Sequence, residues 1–239
     1  MQKFSFSIRS PLIDIRTLYD QFEAPVTALD CGQKCAPHNP SGKPFCCDIC
    51  HAVPAAYQQE WTYLQAHTDL WHAWRGDECA PADGGKAEHD ALLAETPENM
   101  LLLACLGPTA CQRPYRALSC RQFPFFPYVS SDYRFIGLAY DWEFEQSCWV
   151  VSNLNLVSQT YRQQFVETHD RLFAFSQPAF DSYQIHSQRM REHFAALRRR
   201  IPLLHRNSGF YLLSPASERL QRVSAERLPR FEPYRHEAR

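Results

Sequence analysis

The spacing of apolar residues along the chain predicts its first regular elements. After Pro54, apolar side chains recur at helical intervals: Tyr57, Trp61, Leu64, Trp71 and Trp74. This pattern predicts an amphipathic helix that packs an aromatic stripe into the core. A short apolar run at residues 100–105 is stopped by Gly107 and Pro108, so we expect a buried strand that ends at Cys105.

The second half of the chain predicts strands followed by helices. Residues 132–144 are rich in aromatics, with partly alternating apolar and polar positions, which is typical of one or two strands. Residues 157–200 have a helical pattern that Pro178 divides into two helices. A further helix is predicted over residues 217–228, and the chain beyond Pro229 is expected to be loosely held.

These elements predict an α+β protein in two parts. Residues 1–155 are expected to form a compact, cysteine-rich metal-binding domain with a few short strands. Residues 156–239 are expected to form a helical, arginine-rich C-terminal extension. With 239 residues, 45% of them hydrophobic, the chain can bury a sizeable core without the help of disulfides. Its ten cysteines therefore require another explanation.

The compartment is inferred from segments that the sequence lacks. The first residues contain no apolar stretch of the roughly 7 to 15 residues that a secretory signal needs. No apolar run approaches the roughly 18 residues of a membrane span. We therefore expect a soluble, cytoplasmic protein without a membrane partner. In a reducing cytosol, clustered cysteines more often bind metal or take part in redox chemistry than form structural disulfides.

Charge is divided unevenly along the chain, although the net charge is only −1. From Arg189 onward there are twelve arginines and five glutamates, a balance of +7, so residues 1–188 carry −8. Such an asymmetry is typical of a solvated helical face, of a tail for an acidic partner, or of a tail for the protein's own acidic body. The arginines alternate with glutamates and lack interleaved aromatics, which favours the solvated face and argues against nucleic acid.

The N-terminal cysteines have spacings that suit metal ligation. Cys47 and Cys50 are separated by two residues, as in a metal knuckle, and Cys31 and Cys35 are separated by one helical turn. Cys46 directly precedes Cys47, and neighbouring side chains diverge in an extended chain. Both therefore bind one centre only if the backbone bends there. Otherwise they serve two centres, or one of them is a packing residue.

A second set of cysteines follows downstream, near predicted strand ends and proline-rich turns: Cys105, Cys111, Cys120 and Cys148. Four thiolates on a divalent ion leave a formal charge of −2, which Arg116 and Arg121 could offset while donating hydrogen bonds to sulfur. Cys79 has no partner nearby in sequence and is expected to pack as a small hydrophobe. His38 and His51 lie close enough to the first cysteines in sequence to replace a thiolate.

The order of these motifs resembles a known family. The matching features are the pair Cys46-Cys47, the separate Cys105, Cys111 and Cys148, Tyr115-Arg116, and the segment Cys120-Arg121-x-Phe123-Pro124. Together they resemble the zinc- or iron-chelating CxxCxxCC cysteine-cluster family, which also includes flagellin lysine-N-methylase-like proteins. The resemblance covers about residues 31–150. Ala117 stands where the family has proline, and ten residues separate Cys35 from Cys46.

The resemblance implies a metal or iron–sulfur site, and one branch of the family uses S-adenosylmethionine to methylate lysines of a protein substrate. The chain contains no Gly-x-Gly-x-x-Gly loop, so a Rossmann-type nucleotide site is not expected. A site formed around an iron–sulfur cluster does not need that loop.

We therefore expect a metal-binding protein that holds an iron–sulfur cluster or zinc. The excess of thiols over the four that one tetrahedral ion requires favours a cluster or two sites. The candidate ligands are Cys31, Cys35, Cys46, Cys47, Cys50, Cys105, Cys111, Cys120 and Cys148. Two alternatives stay open. One is a metal-dependent enzyme such as a lysine N-methylase, and the other is a structural zinc module that presents a basic tail to an acidic partner.

Overall fold

The computed structural model describes residues 14–76, 78 and 85–236. Its α-helices are α1 (Ile15–Asp20), α2 (Cys31–Cys35), α3 (Gln58–His67), α4 (Gly85–Glu95), α5 (Leu118–Gln122), α6 (Gln159–Phe175) and α7 (Gln177–Ala196). Its strands are β1 (Ala55–Tyr57), β2 (Trp71–Ala73), β3 (Met100–Cys105), β4 (Phe125–Val129), β5 (Phe135–Tyr140), β6 (Ile201–His205), β7 (Phe210–Leu213) and β8 (Leu220–Val223). The chain therefore mixes helix and strand, as the predicted α+β class requires.

The strands form two antiparallel sheets. In the smaller one β3 lies in the centre, with β1 and β2 on its two sides. In the larger one the strands follow in chain order from β4 to β8. Every residue of β4 and β5 is buried, because helix α7 packs against β4 and helix α6 packs against β5. The burial of all their side chains explains why β4 and β5 are nearly continuous apolar runs.

Side-chain caps determine where the long helices begin. Ser158 accepts a hydrogen bond from the Tyr161 amide at the start of α6, and Ser176 accepts one from the Ala179 amide at the start of α7. Pro178 lies in the first turn of α7, where its missing N–H and fixed φ are tolerated. The predicted pair of helices divided at Pro178 is thereby confirmed.

Two other local predictions are confirmed, and one is confirmed in part. Strand β3 coincides with the apolar run at residues 100–105, and β5 lies inside the predicted strand region. The predicted helix after Pro54 is shorter than its aromatic pattern. Helix α3 ends at His67, and Trp71 then begins β2, because β2 pairs with the end of β3 through Trp71 and Cys105.

The predicted helix over residues 217–228 is wrong. Residues 220–223 form β8, which pairs with β7 in the register Leu213↔Leu220 to Phe210↔Val223, and a 3₁₀ turn follows at Ala225–Arg227. Four residues are too few to show a period of their own, so the pairing with β7 decides their conformation.

The predicted helical extension over residues 156–239 also differs from the structure. Strand β6 pairs with β5 in the register Gly137↔His205 and Leu138↔Leu204, so one sheet includes strands from both sides of the predicted boundary. The described residues just beyond Pro229 are held as well. The Tyr234 side chain is fully buried and donates a hydrogen bond of 2.9 Å to the Ser147 carbonyl. Long-range pairing and burial of this kind leave no local pattern in the sequence.

Arginines of the C-terminal part pair with acidic residues of the same chain. Arg199 forms a two-pronged ion pair with Glu145, at 2.6 and 2.8 Å, and Arg191 lies 3.0 Å from Glu218. Arg206 lies 2.7 Å from Asp170. The positive balance of this part is therefore partly used inside the fold. In the described part of the chain, we find no helix with the length and apolar character needed to span a bilayer.

Candidate metal centre

Short elements around the smaller sheet carry the cysteines to one region. Helix α2 holds Cys31 and Cys35 one turn apart, and a 3₁₀ turn at Phe45–Cys47 holds Cys46 and Cys47. Helix α2 begins where the Asp30 side chain accepts a hydrogen bond of 3.0 Å from the Gly32 amide. The bend that the sequence required for adjacent ligands is thus present as the 3₁₀ turn at Phe45–Cys47.

The downstream cysteines are carried by elements from later in the chain. Cys105 is the last residue of β3, Cys111 follows a 3₁₀ turn at Pro108–Ala110, and Cys120 lies in α5. Cys148 is buried in the segment that follows the 3₁₀ turn at Trp142–Phe144. Cysteines that are far apart in the sequence are therefore close together in the fold.

A cavity of about 720 Å³ lies where these elements meet. Seven cysteines line it: Cys31, Cys35, Cys46, Cys47, Cys111, Cys120 and Cys148. Cys105 lies just outside this lining, and its charge acts on the Cys120 thiol. These seven and Cys105 are free thiols. The structure therefore brings together eight of the nine cysteines that the sequence proposed as ligands.

Cys50 is the proposed ligand that does not join them. Its sulfur takes part in a disulfide, and a sulfur in a disulfide has no thiolate to offer a metal. The expectation that clustered cysteines would remain thiols is therefore wrong for this residue, although its spacing from Cys47 is that of a metal knuckle. Cys79 lies outside the described residues, so its predicted packing role stays a prediction.

The thiols surround the cavity without closing on a single point. Among the residues that the structure describes, no group of three or more Cys, His, Asp or Glu side chains is arranged to hold a metal ion. Sulfur ligands lie about 2.3 Å from a zinc ion, so a single ion would need several of these thiols to draw closer.

Burial makes ionisation of most of these thiols unfavourable in the absence of a cation. It raises the pKa of Cys31 to about 11 and the pKa of Cys148 to about 12. Burial also raises the pKa values of Cys35, Cys105 and Cys120. A metal cation would reverse this preference, because thiolates bind it directly.

Cys46 and Cys47 form a coupled pair with sulfurs 3.9 Å apart. Their hydrogen bond raises the pKa of Cys46 and lowers the pKa of Cys47, and the nearby Arg116 guanidinium lowers the pKa of Cys47 further. Cys47 is therefore more readily ionised than its neighbour, which makes it a suitable first thiolate for an incoming cation.

Arg116 has the contact that the sequence analysis proposed for it. Its Nε donates a hydrogen bond of 3.2 Å to the Cys111 sulfur, and its charge acts on Cys47 and Cys120 as well. The guanidinium is half-buried beside the cavity. A fixed positive charge at this position offsets part of the negative charge that a thiolate-bound metal leaves.

Arg121 makes different hydrogen bonds from the proposed ones to sulfur. Although its side chain borders the cavity, the guanidinium donates hydrogen bonds to backbone carbonyls and not to sulfur. The acceptors include Tyr19 and Phe22 at the end of α1, and Pro114 and Arg116 in the loop before α5. Arg121 therefore stabilises the loop that carries Arg116, because a guanidinium offers several donors in a fixed plane.

Glu60 is a functional neighbour that the sequence analysis missed. It is fully buried on α3 and accepts hydrogen bonds from the Tyr19 hydroxyl and the Leu118 amide, both at 2.6 Å, and from the Tyr57 amide at 3.2 Å. Leu118 begins α5, so Glu60 positions the helix that holds Cys120. A signal was present, since Glu60 is a charged residue beside Trp61 within the aromatic stripe.

The two histidines proposed as alternative ligands lie elsewhere. Both are exposed, and neither lines the cavity. The His38 ring packs edge-on against Tyr234, with ring centres 5.1 Å apart, and the His51 ring packs similarly against Phe45 at 5.0 Å. His51 Nε2 also lies 4.0 Å from Asp48. These contacts explain both side chains without a metal.

Comparison of the chain with models of protein families found no match, and neither did comparison with curated proteins or with solved structures. The resemblance to the CxxCxxCC cysteine-cluster family therefore stays a prediction that rests on the motif residues.

Proposed function

We propose that this protein binds metal through cysteine thiolates, as an iron–sulfur cluster or as zinc. The observation that supports this proposal is the cavity of about 720 Å³ lined by seven free cysteines, with Cys105 adjacent. Apolar packing alone does not account for so many thiols around an open space, since packed cores leave few voids larger than a water molecule.

The chemistry of the site supports the same proposal. Its sulfurs are soft ligands of the kind that zinc and iron–sulfur clusters select. Arg116 adds a positive charge and a hydrogen-bond donor to sulfur, as the surroundings of a thiolate-bound metal require. The eight free thiols exceed the four that one tetrahedral ion requires, and this excess favours a cluster or two sites over a single zinc ion.

Metal content measured after purification without oxygen tests this proposal. We expect stoichiometric zinc, or iron together with acid-labile sulfide and a brown colour. Removal of the metal with a chelator should lower the midpoint of thermal unfolding, because metal that binds the folded chain stabilises it. Restoring the metal should restore the midpoint.

A double variant and a single variant provide the controls. Cys31→Ser/Cys120→Ser removes one thiol from the N-terminal set and one from the downstream set that line the cavity, so we expect it to retain no metal. Ser119→Ala, next to Cys120 on α5, removes a buried hydroxyl that has no hydrogen-bond partner among the described residues and leaves every thiol in place, so it should retain the full content. A wild-type protein that binds neither iron nor zinc, when both are supplied during anaerobic refolding, would refute the proposal.

A further inference from the structure

Two adjacent cysteines of the cavity have their sulfurs in direct contact. The Sγ atoms of Cys46 and Cys47 are 3.9 Å apart, and one thiol donates a hydrogen bond to the other. Among the free cysteines that the structure describes, no other pair makes a hydrogen bond between two thiols. This contact therefore distinguishes the pair from the other thiols of the cavity.

The backbone turn at Phe45–Cys47 creates the contact. In an extended chain, the side chains of neighbouring residues point to opposite sides. Here the Cys47 amide donates a hydrogen bond of 2.8 Å to the Pro44 carbonyl. The Asp48 amide donates one of 3.2 Å to the Phe45 carbonyl. These two bonds bend the chain, and the two sulfurs meet.

The carboxylate of Asp48 holds the loop around this turn. It is only 4% exposed, and it accepts hydrogen bonds from the Asn39 side-chain amide at 3.0 Å, the Ser41 hydroxyl at 2.6 Å and the Cys50 amide at 3.2 Å. These partners precede and follow the turn in sequence. The chain on both sides of the two sulfurs is thus tied to one buried side chain.

Small molecules can reach both sulfurs through the cavity. Cys46 and Cys47 are half-buried and line it, and the exposed residues Leu29 and Arg113 belong to the same lining. The cavity therefore opens to solvent, and its volume of about 720 Å³ admits a molecule as small as hydrogen peroxide.

We infer that Cys46 and Cys47 form a reversible redox pair, which can bind metal as two thiols and loses this ability when it is oxidised to a disulfide. The inference rests on the proposed function, since it concerns the regulation of the same site. Sulfurs in a disulfide lie about 2.05 Å apart, so rotation of the two side chains must bring them about 2 Å closer. Adjacent α-carbons are about 3.8 Å apart, below the separation usual in disulfides, which makes such a bond easy to reduce.

A peroxide is the class of oxidant that this reaction needs. One cysteine sulfur attacks a peroxide oxygen and the O–O bond breaks, which gives a sulfenic acid and one water. The second sulfur then attacks the sulfenic sulfur. The S–S bond forms, the S–O bond breaks, and hydroxide leaves with the second thiol proton as water. Two thiols thereby lose two electrons and two protons, and one hydrogen peroxide becomes two waters.

The sulfur contact also explains why oxidation would act on the metal site. Two sulfurs that each lie about 2.3 Å from one tetrahedral zinc ion are about 3.8 Å apart. The 3.9 Å between Cys46 and Cys47 therefore already suits two ligands of one ion. A disulfide offers no thiolate to a metal, so its formation removes this pair from the seven cysteines that line the cavity.

The first test maps the disulfide in the wild-type chain. Metal-free protein is treated with one equivalent of hydrogen peroxide without oxygen, its remaining thiols are alkylated, and its peptides are fragmented in a mass spectrometer. We expect a disulfide between Cys46 and Cys47, and its loss after treatment with dithiothreitol. Alkylation of both residues in the peroxide-treated protein would overturn the inference.

Variants test whether the contact between the two sulfurs is the cause. Cys46→Ala and Cys47→Ala should each leave the other residue free for alkylation. Cys35→Ala is the matched control, because Cys35 also lines the cavity but its sulfur contacts the Gly32 carbonyl at 3.7 Å. It should form the disulfide as the wild type does, and its failure to do so while folded would count against the pair. The wild-type map decides the question even if a variant does not fold.

The second test compares metal uptake by the two forms. Reduced and peroxide-treated wild-type protein are each supplied with zinc, or with iron and sulfide, under anaerobic conditions. We expect uptake by the reduced form, loss of uptake by the oxidised form, and recovery after dithiothreitol. Equal uptake by both forms would overturn the regulatory inference and leave the proposed function intact. Uptake by neither form would refute the proposed function, whereas a mapped disulfide would still support the redox pair.

Discussion

At the scale of single residues, Arg116 is the arginine that donates a hydrogen bond to a cysteine sulfur of the candidate site. Its neighbour Arg113 also borders the cavity, but its guanidinium is exposed and donates to the Glu23 carbonyl. The two arginines lie three residues apart on one loop and differ in whether they contact sulfur. They therefore form a natural pair of test and control.

Replacement of Arg116 should weaken metal binding without unfolding the chain. Arg116→Gln removes both the positive charge and the Nε donor to Cys111, and we expect the metal to be retained about 10- to 100-fold less tightly. Competition with a chelator under anaerobic conditions measures this change. Arg113→Gln should behave like the wild type. Equal retention by the two variants would show that Arg116 does not stabilise the bound metal.

At the scale of elements, buried polar side chains join the short helices around the cavity. Glu60 of α3 binds Tyr19 of α1 and the first amide of α5, and Arg121 of α5 binds carbonyls at the end of α1 and in the preceding loop. Helices of five or six residues are not stable by themselves, so such contacts hold them in place.

The bracing role of Arg121 predicts a loss of stability that lysine cannot restore. Arg121→Lys leaves some of the buried carbonyls without a donor. The ammonium group of lysine is compact, so it cannot reach all of the acceptors that the wider guanidinium contacts. We expect the free energy of unfolding to fall by about 3 kcal/mol. Denaturant titration measures it. Arg134→Lys, at an exposed ion pair with Asp132, is the control and should change stability little.

If Arg121→Lys instead left the unfolding free energy unchanged but released metal, Arg121 would act on the centre directly. That result would favour the contact with sulfur that the sequence analysis proposed. Measurement of metal content beside stability therefore separates the two roles of this arginine.

At the scale of the whole molecule, the larger sheet and the C-terminal residues connect the two halves of the chain. Strand β6 extends the sheet beyond β5, and Tyr234 buries its ring against His38, which ends the 3₁₀ turn that directly follows α2 and Cys35. Residues near the C-terminus thus support the part of the fold that carries the thiols.

Truncation of the Tyr234 ring should destabilise the whole protein. Tyr234→Ala removes a fully buried aromatic ring, and we expect a loss of about 3 kcal/mol in the free energy of unfolding. Tyr234→Phe keeps the ring and removes only the donor to Ser147, so it should cost about 1 kcal/mol. Thermal and denaturant unfolding of both variants provide the measurement. A negligible effect of Tyr234→Ala would indicate that the C-terminal segment is dispensable for folding.

Local elements were predictable where their signal lies within one segment. Pro178 separates α6 from α7, and the run ending at Cys105 forms β3, because proline and a compact apolar run act on their immediate neighbours. The short strands β6 to β8 were not predicted, since four or five residues gain their conformation from partners distant in sequence.

The candidate site was also predictable only in part: the sequence identified its residue types, but it did not show which of them come into contact. The residues of the resemblance motif identified Arg116 and Arg121 together, yet only Arg116 contacts sulfur, because α5 directs Arg121 toward α1. Cys50 has the spacing of a metal ligand but takes part in a disulfide. Spacing along the chain describes which side chains can meet, and it does not decide which of them do.

The sequence by itself determined the number of cysteines, the long helices and strand β3, because each depends on residue identity or on a periodic pattern within one segment. The tertiary structure decided that seven of the free thiols line one cavity, that the Cys46 and Cys47 sulfurs lie 3.9 Å apart, and that Glu60 and Arg121 hold the surrounding helices. The physical reason is that these arrangements arise from contacts between residues tens of positions apart, whose free energies depend on packing and burial in the folded chain.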